Sequence, residues 1–285
     1  GVVAYTLLCN HIPLNGYLIG TQDYEGHHVF DIWYRNTSDI VPTVITGDMH
    51  SVNKANFAIL HWFGLSFEPR FTNLQNQLKE LYCADDPTLY EKCLIRPVGQ
   101  IDLSVIVDEK SNIDQIVATL GLKEMTQGTL IRKLCTYSEP NPTRRAIFEF
   151  DKLARSIYTL HYLRDPQIER MVHRSQNRIE SYHQLRSAIA QVGGKKELTG
   201  RTDIEIEISN QCARLIANVI IYYNSAILSR LLTRYEESGN TKALALIKQM
   251  SPIAWRHIMM NGHYIFHSDG NVIDLDAIIT GLDLG

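Results

Sequence analysis

Thr43, Val44, Ile45 and Thr46 are β-branched without a break, and Gly47 closes the run. Side chains of this kind favour a buried strand. From Val52 onward Phe57, Leu60 and His61 follow helical spacing as far as a Phe63-Gly64 stop. Leu65 to Phe67 then returns to a strand pattern that Pro69 ends. Strand, helix and strand in that order fit a mixed α/β sheet with helices packed on it. Asp48 falls at the carboxyl end of the first strand, the side of an open α/β sheet where ligands bind. It is the first candidate for a functional residue.

The flanking sequence extends the same plan. Val2 to Cys9 and Gly16 to Gly20 read as strands joined by a turn-prone Asn10-to-Asn15 segment, and Gly26 to Arg35 as a short helix. The expected fold class is α/β, a mixed sheet with helices packed on it. The chain opens directly in a strand-like run, with neither an initiator Met nor a signal-peptide layout, so a fragment of something longer is expected.

After Arg70 the character changes. Residues 73–124 carry an excess of acids, and from Asn112 the pattern is helical almost to the end. Thr143 to Leu163 places Ile147, Phe150, Leu153, Ile157, Leu160 and Leu163 at helical spacing. Asp165-Pro166 supplies a cap and a first-turn proline for a helix that reaches about Val192, where Gly193-Gly194 stops it. Ser209 to Tyr235 predicts a long apolar core helix. A last helix is expected from Ser251-Pro252 to Gly262, and a short strand and turn after Ser268.

Composition narrows the function classes. The chain has 285 residues, 45% of them hydrophobic, with a net charge of −3 and a pI near 6.4, so any nucleic-acid footprint has to be local. Five scattered cysteines without a C-x-x-C pair argue against a zinc site or a disulfide framework and fit a reducing cytoplasm. The longest apolar run, Ala213 to Leu232, is interrupted by Arg214, Asn218, Asn224 and Arg230, so no membrane span is expected.

The second candidate is Glu180. On the helix from Asp165, Ile168, Met171, Val172, Ser175, Ile179, Tyr182 and Ile189 share one face, while His173, Asn177, Glu180 and Gln184 form a polar strip opposite. Arg170, Arg174 and Arg178 lie beside that strip. No cation stands three or four residues from Glu180, where a surface Glu commonly finds its partner. Each signal also has a plain reading: a helix cap for Asp48, a solvated surface for Glu180 and the arginines. Taken together, an Asp at a strand end and a Glu on a neighbouring helix suit Mg²⁺ or Mn²⁺, which bind through one or two carboxylates plus phosphate oxygens and water. Two such ions roughly 3.5–4 Å apart drive in-line displacement at phosphorus. The arginines, with His50 and Asn177, are candidate DNA contacts.

At these residues the chain resembles a known family. Thr37-Ser38-Asp39-Ile40, Gly47-Asp48-Met49-His50, Asn53, Asn56-Phe57-Ala58 and Phe67-Glu68-Pro69-Arg70 are similar to the catalytic domain of Tn3-family transposases. So are the runs Asn177 to Arg186, Gln211-Cys212-Ala213-Arg214 and Ser251 to Trp255. The resemblance implies a ribonuclease-H-like mixed sheet with an Asp-Asp-Glu metal triad, a large mainly helical insertion and a helical C-terminal part. Asp48 would be the second acid and Glu180 the third. Residues 1–70 would be core, 71–143 insertion and 144–285 the helical part of the core.

Such enzymes cut transposon ends and join the freed 3′-hydroxyls to target DNA in replicative transposition. The implied setting is a bacterial cytoplasm, with a homodimer pairing two DNA ends. The family's first Asp lies on a strand preceding the one that opens this chain, and neither Asp23, Asp31 nor Asp39 is placed to replace it. The polypeptide is therefore expected to lack one ligand and to be inactive alone. Met49 replaces the Thr usual beside the second acid, and Ile179 the small residue usual before the third. The rivals are a catalytically inactive DNA-binding remnant or regulator of such an element, and a nuclease of the same fold that does not join strands.

Overall fold

A computed structural model describes residues 1–136, 141–192, 194, 198–263, 265 and 273–282. They form two compact units, the first comprising Gly1–Leu7 with Tyr17–Asn177 and the second Leu8–Gly16 with Arg178–Gly285.

β1 (Val2–Cys9) and β2 (Ile12–Gly20) pair with each other. A 3₁₀ turn at Glu25–His28 leads into α1 (Val29–Tyr34). β3 (Val44–Ile45), α2 (Asn56–Trp62) and β4 (Ser66–Phe67) follow, and β3 pairs with β4 in parallel. The strand–helix–strand reading of residues 43–67 therefore holds. Its ladder outlasts the short strands: Ser66, Glu68 and Arg70 donate their N–H groups to the carbonyls of Thr43, Ile45 and Gly47 at 2.8–2.9 Å. α2 ends as the sequence requires. Gly64 takes φ +73°, its N–H reaches the His61 carbonyl, and the Leu65 N–H reaches that of Leu60.

α3 (Leu74–Leu78), β5 (Tyr82–Cys83), β6 (Gly99–Gln100), α4 (Leu103–Asp108), α5 (Lys110–Gly121) and α6 (Gln127–Thr136) come next. β5 and β6 form a second parallel pair. Among the described residues the strands make three separate two-stranded pairs rather than the single mixed sheet expected. Four of the six strands are only two residues long, too short to recruit a further neighbour. The chain is α/β, with small sheets and a large helical part.

α7 (Pro142–Arg164) packs on α2 and completes the core of the first unit, in which Phe30, Ile59, Leu60, Leu120 and Ile147 are fully buried. Its buried face differs from the one its apolar spacing predicts. Ile157, Leu160 and Leu163 are exposed, whereas Glu149, Asp151, Ser156 and Thr159 are buried. Each of those four has hydrogen-bond partners. The Asp102 N–H reaches Glu149, the Tyr82 N–H reaches Ser156 Oγ, Asp151 takes backbone groups of α2, and Thr159 bonds back to Arg155. Buried polar groups with partners are tolerated, and they turn the helix away from its apolar stripe.

α8 (Pro166–Gln191) begins at the predicted Asp165-Pro166 and follows the predicted face in burying Val172, Tyr182 and Ile189, with Leu185 added and Met171 exposed. Gly194 follows it at φ +92°, and Gly193 lies outside the described residues.

In the second unit, Tyr182, Leu185 and Ile189 pack against Ala213, Ala217, Ile220 and Ile221 of α9 (Asp203–Glu237). α9 is the one helix among the described residues long and apolar enough to cross a membrane by length and composition. Expected as a core helix, it buries one face through Ala213, Ala217, Ile220 and Ile221 and leaves Leu215, Val219 and Tyr222 exposed. α10 (Thr241–Ile247) packs on its C-terminal part.

Ser251 to Gly262 forms turns, not the expected helix. Asn224 Nδ2 captures the carbonyls of Pro252 and Ala254 at 2.8 and 2.7 Å, groups a helix would need for itself. The tail, read as a strand and turn, is helical where described, as α11 (Leu275–Thr280) capped by Asp274. Residues 266–272 and 283–285 of that segment lie outside the description.

Candidate functional site

Asp48 stands one residue beyond the last ladder bond of β3, so the strand delivers it to the sheet end. Its backbone is extended, and Oδ1 accepts the N–H groups of His50 at 3.0 Å and Ser51 at 3.3 Å. The plain reading of Asp48 as a cap is thus realised, on a single 3₁₀ turn at Met49–Ser51. The cap uses one oxygen. Oδ2 has no hydrogen bond, and the residue is exposed.

The turn bearing Asp48 is held from several sides. Ser51 Oγ donates to the Asp48 carbonyl at 2.6 Å, and a Cβ on Gly47 would lie 2.3 Å from that Oγ. Only glycine fits at 47 without displacing Ser51. Tyr24 donates its hydroxyl to the Val52 carbonyl at 2.6 Å. Asn56, fully buried, donates from Nδ2 to the carbonyls of Ser51 and Gly26 at 2.6 and 2.8 Å, and its Oδ1 accepts from Gln127. Gln127 in turn takes the Phe30 N–H on Oε1 at 2.8 Å. Such a network fixes a loop because releasing any member leaves a buried polar atom unpaired.

From α7, Asp151 Oδ1 accepts the N–H groups of Phe57 and Ala58, and Arg155 Nη2 bridges Asp151 Oδ2 at 2.9 Å and the Asn53 carbonyl at 2.8 Å. Tyr5 lies within electrostatic reach. Burial foremost, then Tyr17, Glu25 and Asp48, raises its hydroxyl far above the ordinary range. Asp151, Arg155 and Gln127 were not singled out by sequence; the i,i+4 spacing of Asp151 and Arg155 was the one visible signal.

The other candidates distribute as follows. His50 is exposed, and its backbone rather than its ring meets Asp48. Arg170, Arg174 and Asn177 belong to the first unit and are exposed on α8. Arg178 and Glu180 belong to the second unit, where Arg178 Nη1 donates to Asn10 Oδ1 at 3.3 Å. Glu180 is exposed, with the buried Tyr182 and Leu185 fixing its helix. It accepts a long hydrogen bond from Gln184 Nε2 at 3.5 Å. His183 beside it is held below its ordinary pKa by burial and Arg186, against the pull of Glu180.

Among the described residues no three His, Cys, Asp or Glu side chains cluster as a metal site. What Asp48 and Glu180 each offer are exposed carboxylate oxygens, donors suited to a hard divalent cation. A cavity of about 490 Å³ beside this turn is lined by Met49, Asn53, Lys54 and Arg155.

Comparison with known proteins places this geometry in context. Residues 1–264 match the family described as Tn3 transposase DDE domain. The transposase of transposon Tn1546 from Enterococcus faecium is 26% identical over 262 residues, 92% of this chain and 26% of that protein. That of Tn2501 from Escherichia coli is 26% identical over 253 residues, 86% of this chain and 24% of that protein. That of transposon gamma-delta from Escherichia coli K12 is 27% identical over 168 residues, 59% of this chain and 17% of that protein. The chain thus spans about a quarter of the length of the first two relatives. No solved structure matches it.

Proposed function

Because this chain belongs to the Tn3 transposase DDE domain family, we propose that it is the catalytic part of a bacterial transposase, cutting DNA strands and joining them to a target during replicative transposition. The observation that carries the reading is the carboxylate of Asp48. It is delivered by a strand end, fixed through one oxygen and exposed through the other. The family supports a ribonuclease-H-like organisation, with residues 1–70 and 144–285 as core and 71–143 as the insertion. The hosts of the relatives support a bacterial cytoplasm, and no membrane is part of the reading.

Asp48 and Glu180 are the residues that would hold Mg²⁺ or Mn²⁺. When bound, divalent ions supply activation of the attacking oxygen and stabilisation of the leaving one. The chain's own part is positioning. The turn hydrogen bonds orient Asp48, and the α8 packing of Tyr182 and Leu185 orients Glu180. Arg170, Arg174, Arg178, Asn177 and His50 would meet DNA phosphates, a contribution that gives affinity without sequence choice. A homodimer would present two such sites to the two transposon ends. An inactive remnant is the less favoured alternative.

The test is a strand-cleavage and strand-transfer assay in the complete transposase polypeptide. Asp48→Asn and Glu180→Gln should each abolish both steps while end binding persists. Asn retains a cap oxygen for the His50 and Ser51 N–H groups, so its inactivity cannot be put down to a lost turn. Wild-type strand transfer by either variant would end the assignment.

A further inference from the structure

The cavity beside the Asp48 turn continues along α7. A second cavity, of about 920 Å³, shares Lys54, Glu80, Phe148 and Arg155 with it and reaches Asn141 at the start of the helix. Both belong to the first unit. From Arg155 back to Asn141 the helical rise gives the groove a length of roughly 20 Å. Lys54, Arg144, Arg145, Lys152 and Arg155 line it, against the acids Glu80, Glu149 and Asp151.

The acids are already matched. Glu149 takes Lys152 Nζ at 2.7 Å, Asp151 takes Arg155 Nη2 at 2.9 Å, and Glu80 stands 4.0 Å from Arg155 Nη1. Lys54, which is exposed, and Arg144 have no carboxylate within 4.0 Å among the described residues. Arg144 Nη1 donates to a neutral group, the Leu134 carbonyl, at 3.3 Å. Arg145 pairs at 2.6 Å with Asp102, which is not part of the lining, and so exposed a pair exchanges readily for another anion. The first turn of α7 carries no acid, although that is where a helix favours negative charge; Arg144 and Arg145 stand at that end instead. Two aromatic rings lie among these charges. Phe148 is half-buried where the two cavities meet, and Tyr82 carries Lys152 Nζ at 4.7 Å from its ring centroid. Cations that track a backbone beside aromatic faces are the means by which single strands are held. A duplex keeps its base faces stacked inside and cannot use the rings.

We infer that this groove holds a short unpaired stretch of DNA leading away from the Asp48 turn, with Lys54 and Arg144 on its phosphates and Phe148 against an unstacked base. The inference rests on the reading of this domain as a DNA strand-transfer enzyme, and adds the path that one strand takes once it leaves its complement. Charge contributes affinity without sequence choice, and so does stacking, because every base has a face to offer.

The experiment uses the complete transposase polypeptide and a transposon-end duplex, either blunt at the cleavage point or extended there by about six unpaired thymidines at about 3.4 Å each, on one strand or the other. Binding is measured in EDTA over a range of salt concentrations. For wild type, the extension on one strand should strengthen binding on the order of tenfold. The double variant Lys54→Gln, Arg144→Gln should lose that gain and bind the blunt duplex as wild type does. The salt slope belonging to the extension should fall by about 1.4, or roughly 0.7 for each phosphate contact removed. Phe148→Leu keeps an apolar side chain against the core but loses the ring, and should lose most of the gain with the slope unchanged. Iodouracil placed in the extension should crosslink on illumination to Phe148 or Tyr82 of wild type, which decides the matter if the double variant fails to fold by thermal melting. The inference is overturned if neither extension strengthens binding, if the variants lose as much on the blunt duplex as on the extended one, or if the crosslinks fall outside the groove. Cleavage by Asp48→Asn would instead remove the catalytic reading, leaving the EDTA binding and crosslinking results to judge the groove alone.

Discussion

The carboxylate of Asp151 caps a helix from which it is separated by more than ninety residues: Oδ1 accepts the Phe57 N–H at 2.9 Å and that of Ala58 at 3.4 Å. Its other oxygen holds Arg155, which also grips the Asn53 carbonyl. α7 thereby anchors the start of α2, the helix between the strand that ends at Asp48 and the strand that leads to Arg70.

Removing that anchor should be expensive. Asp151→Ala takes from the half-buried Arg155 its nearest carboxylate and leaves two helix N–H groups without a cap, so a loss of about 2–4 kcal/mol is expected. Asp151→Asn keeps an accepting oxygen and should cost less, roughly 1–3 kcal/mol. Urea unfolding of the two variants beside wild type measures both. Equal, small losses would show that the anchor carries little of the stability.

The same residue sets a pH dependence. Burial pushes Asp151 up to about 6, against the pull of Arg155 and the two N–H bonds. Folding therefore takes up a proton at this site. Its contribution is fully present below the unfolded carboxylate range and is lost as the pH rises through the folded value. Asp86, Asp102 and Glu109 are shifted downward, chiefly by hydrogen bonds, and act in the opposite sense. The informative quantity is the difference between wild type and Asp151→Asn. The advantage of wild type should grow as the pH falls from about 6 to about 4. A difference that shrinks over that window would contradict the sign.

At Gly47 the prediction is steric. An added Cβ would meet Ser51 Oγ at 2.3 Å and Ser51 Cβ at 2.7 Å. Gly47→Ala should destabilise by about 1–3 kcal/mol through overpacking and should disturb Asp48 directly. Ser51→Gly in the same chain removes both opposing atoms, so the double variant should recover part of the loss. Additive losses in a double-mutant cycle would show that the two residues do not collide.

How much of this was legible follows from where each interaction partner sits in the sequence. The strand–helix–strand of residues 43–67 was readable because a β-branched run, helical spacing and the Gly64 stop are all local signals. The start of α8 was readable for the same reason, from Asp165-Pro166. The buried face of α7 was not, since Asp151, Ser156 and Glu149 are turned inward by N–H groups at Phe57, Tyr82 and Asp102. Nothing local announces a distant backbone donor, so a polar side chain there reads as solvent-facing. The turns at Ser251–Gly262 were hidden likewise, by Asn224 on another helix. Asp48 was legible by position but not by its dual use, because a cap on one oxygen leaves the residue type unchanged. Arg70 was visible within a motif. Its hydrogen bond to Gln176 emerged only once α8 was folded beside it.

α9 offers a contrast between two apolar faces of one helix. Leu215, Val219 and Tyr222 are 66%, 60% and 75% exposed, whereas Ala217 is fully buried against the cluster that holds Leu185. If exposure governs, Leu215→Gln and Val219→Gln should each change unfolding free energy by no more than about 0.5 kcal/mol. Leu185→Ala should cost about 2–5 kcal/mol, because it removes buried methyl groups and leaves a cavity. Ala217→Leu should cost roughly 1–3 kcal/mol by overpacking the same seam. Chemical denaturation of the four variants separates the faces. A loss at Leu215 or Val219 as large as that at Leu185 would mean that the apolar stripe of α9 is covered in solution.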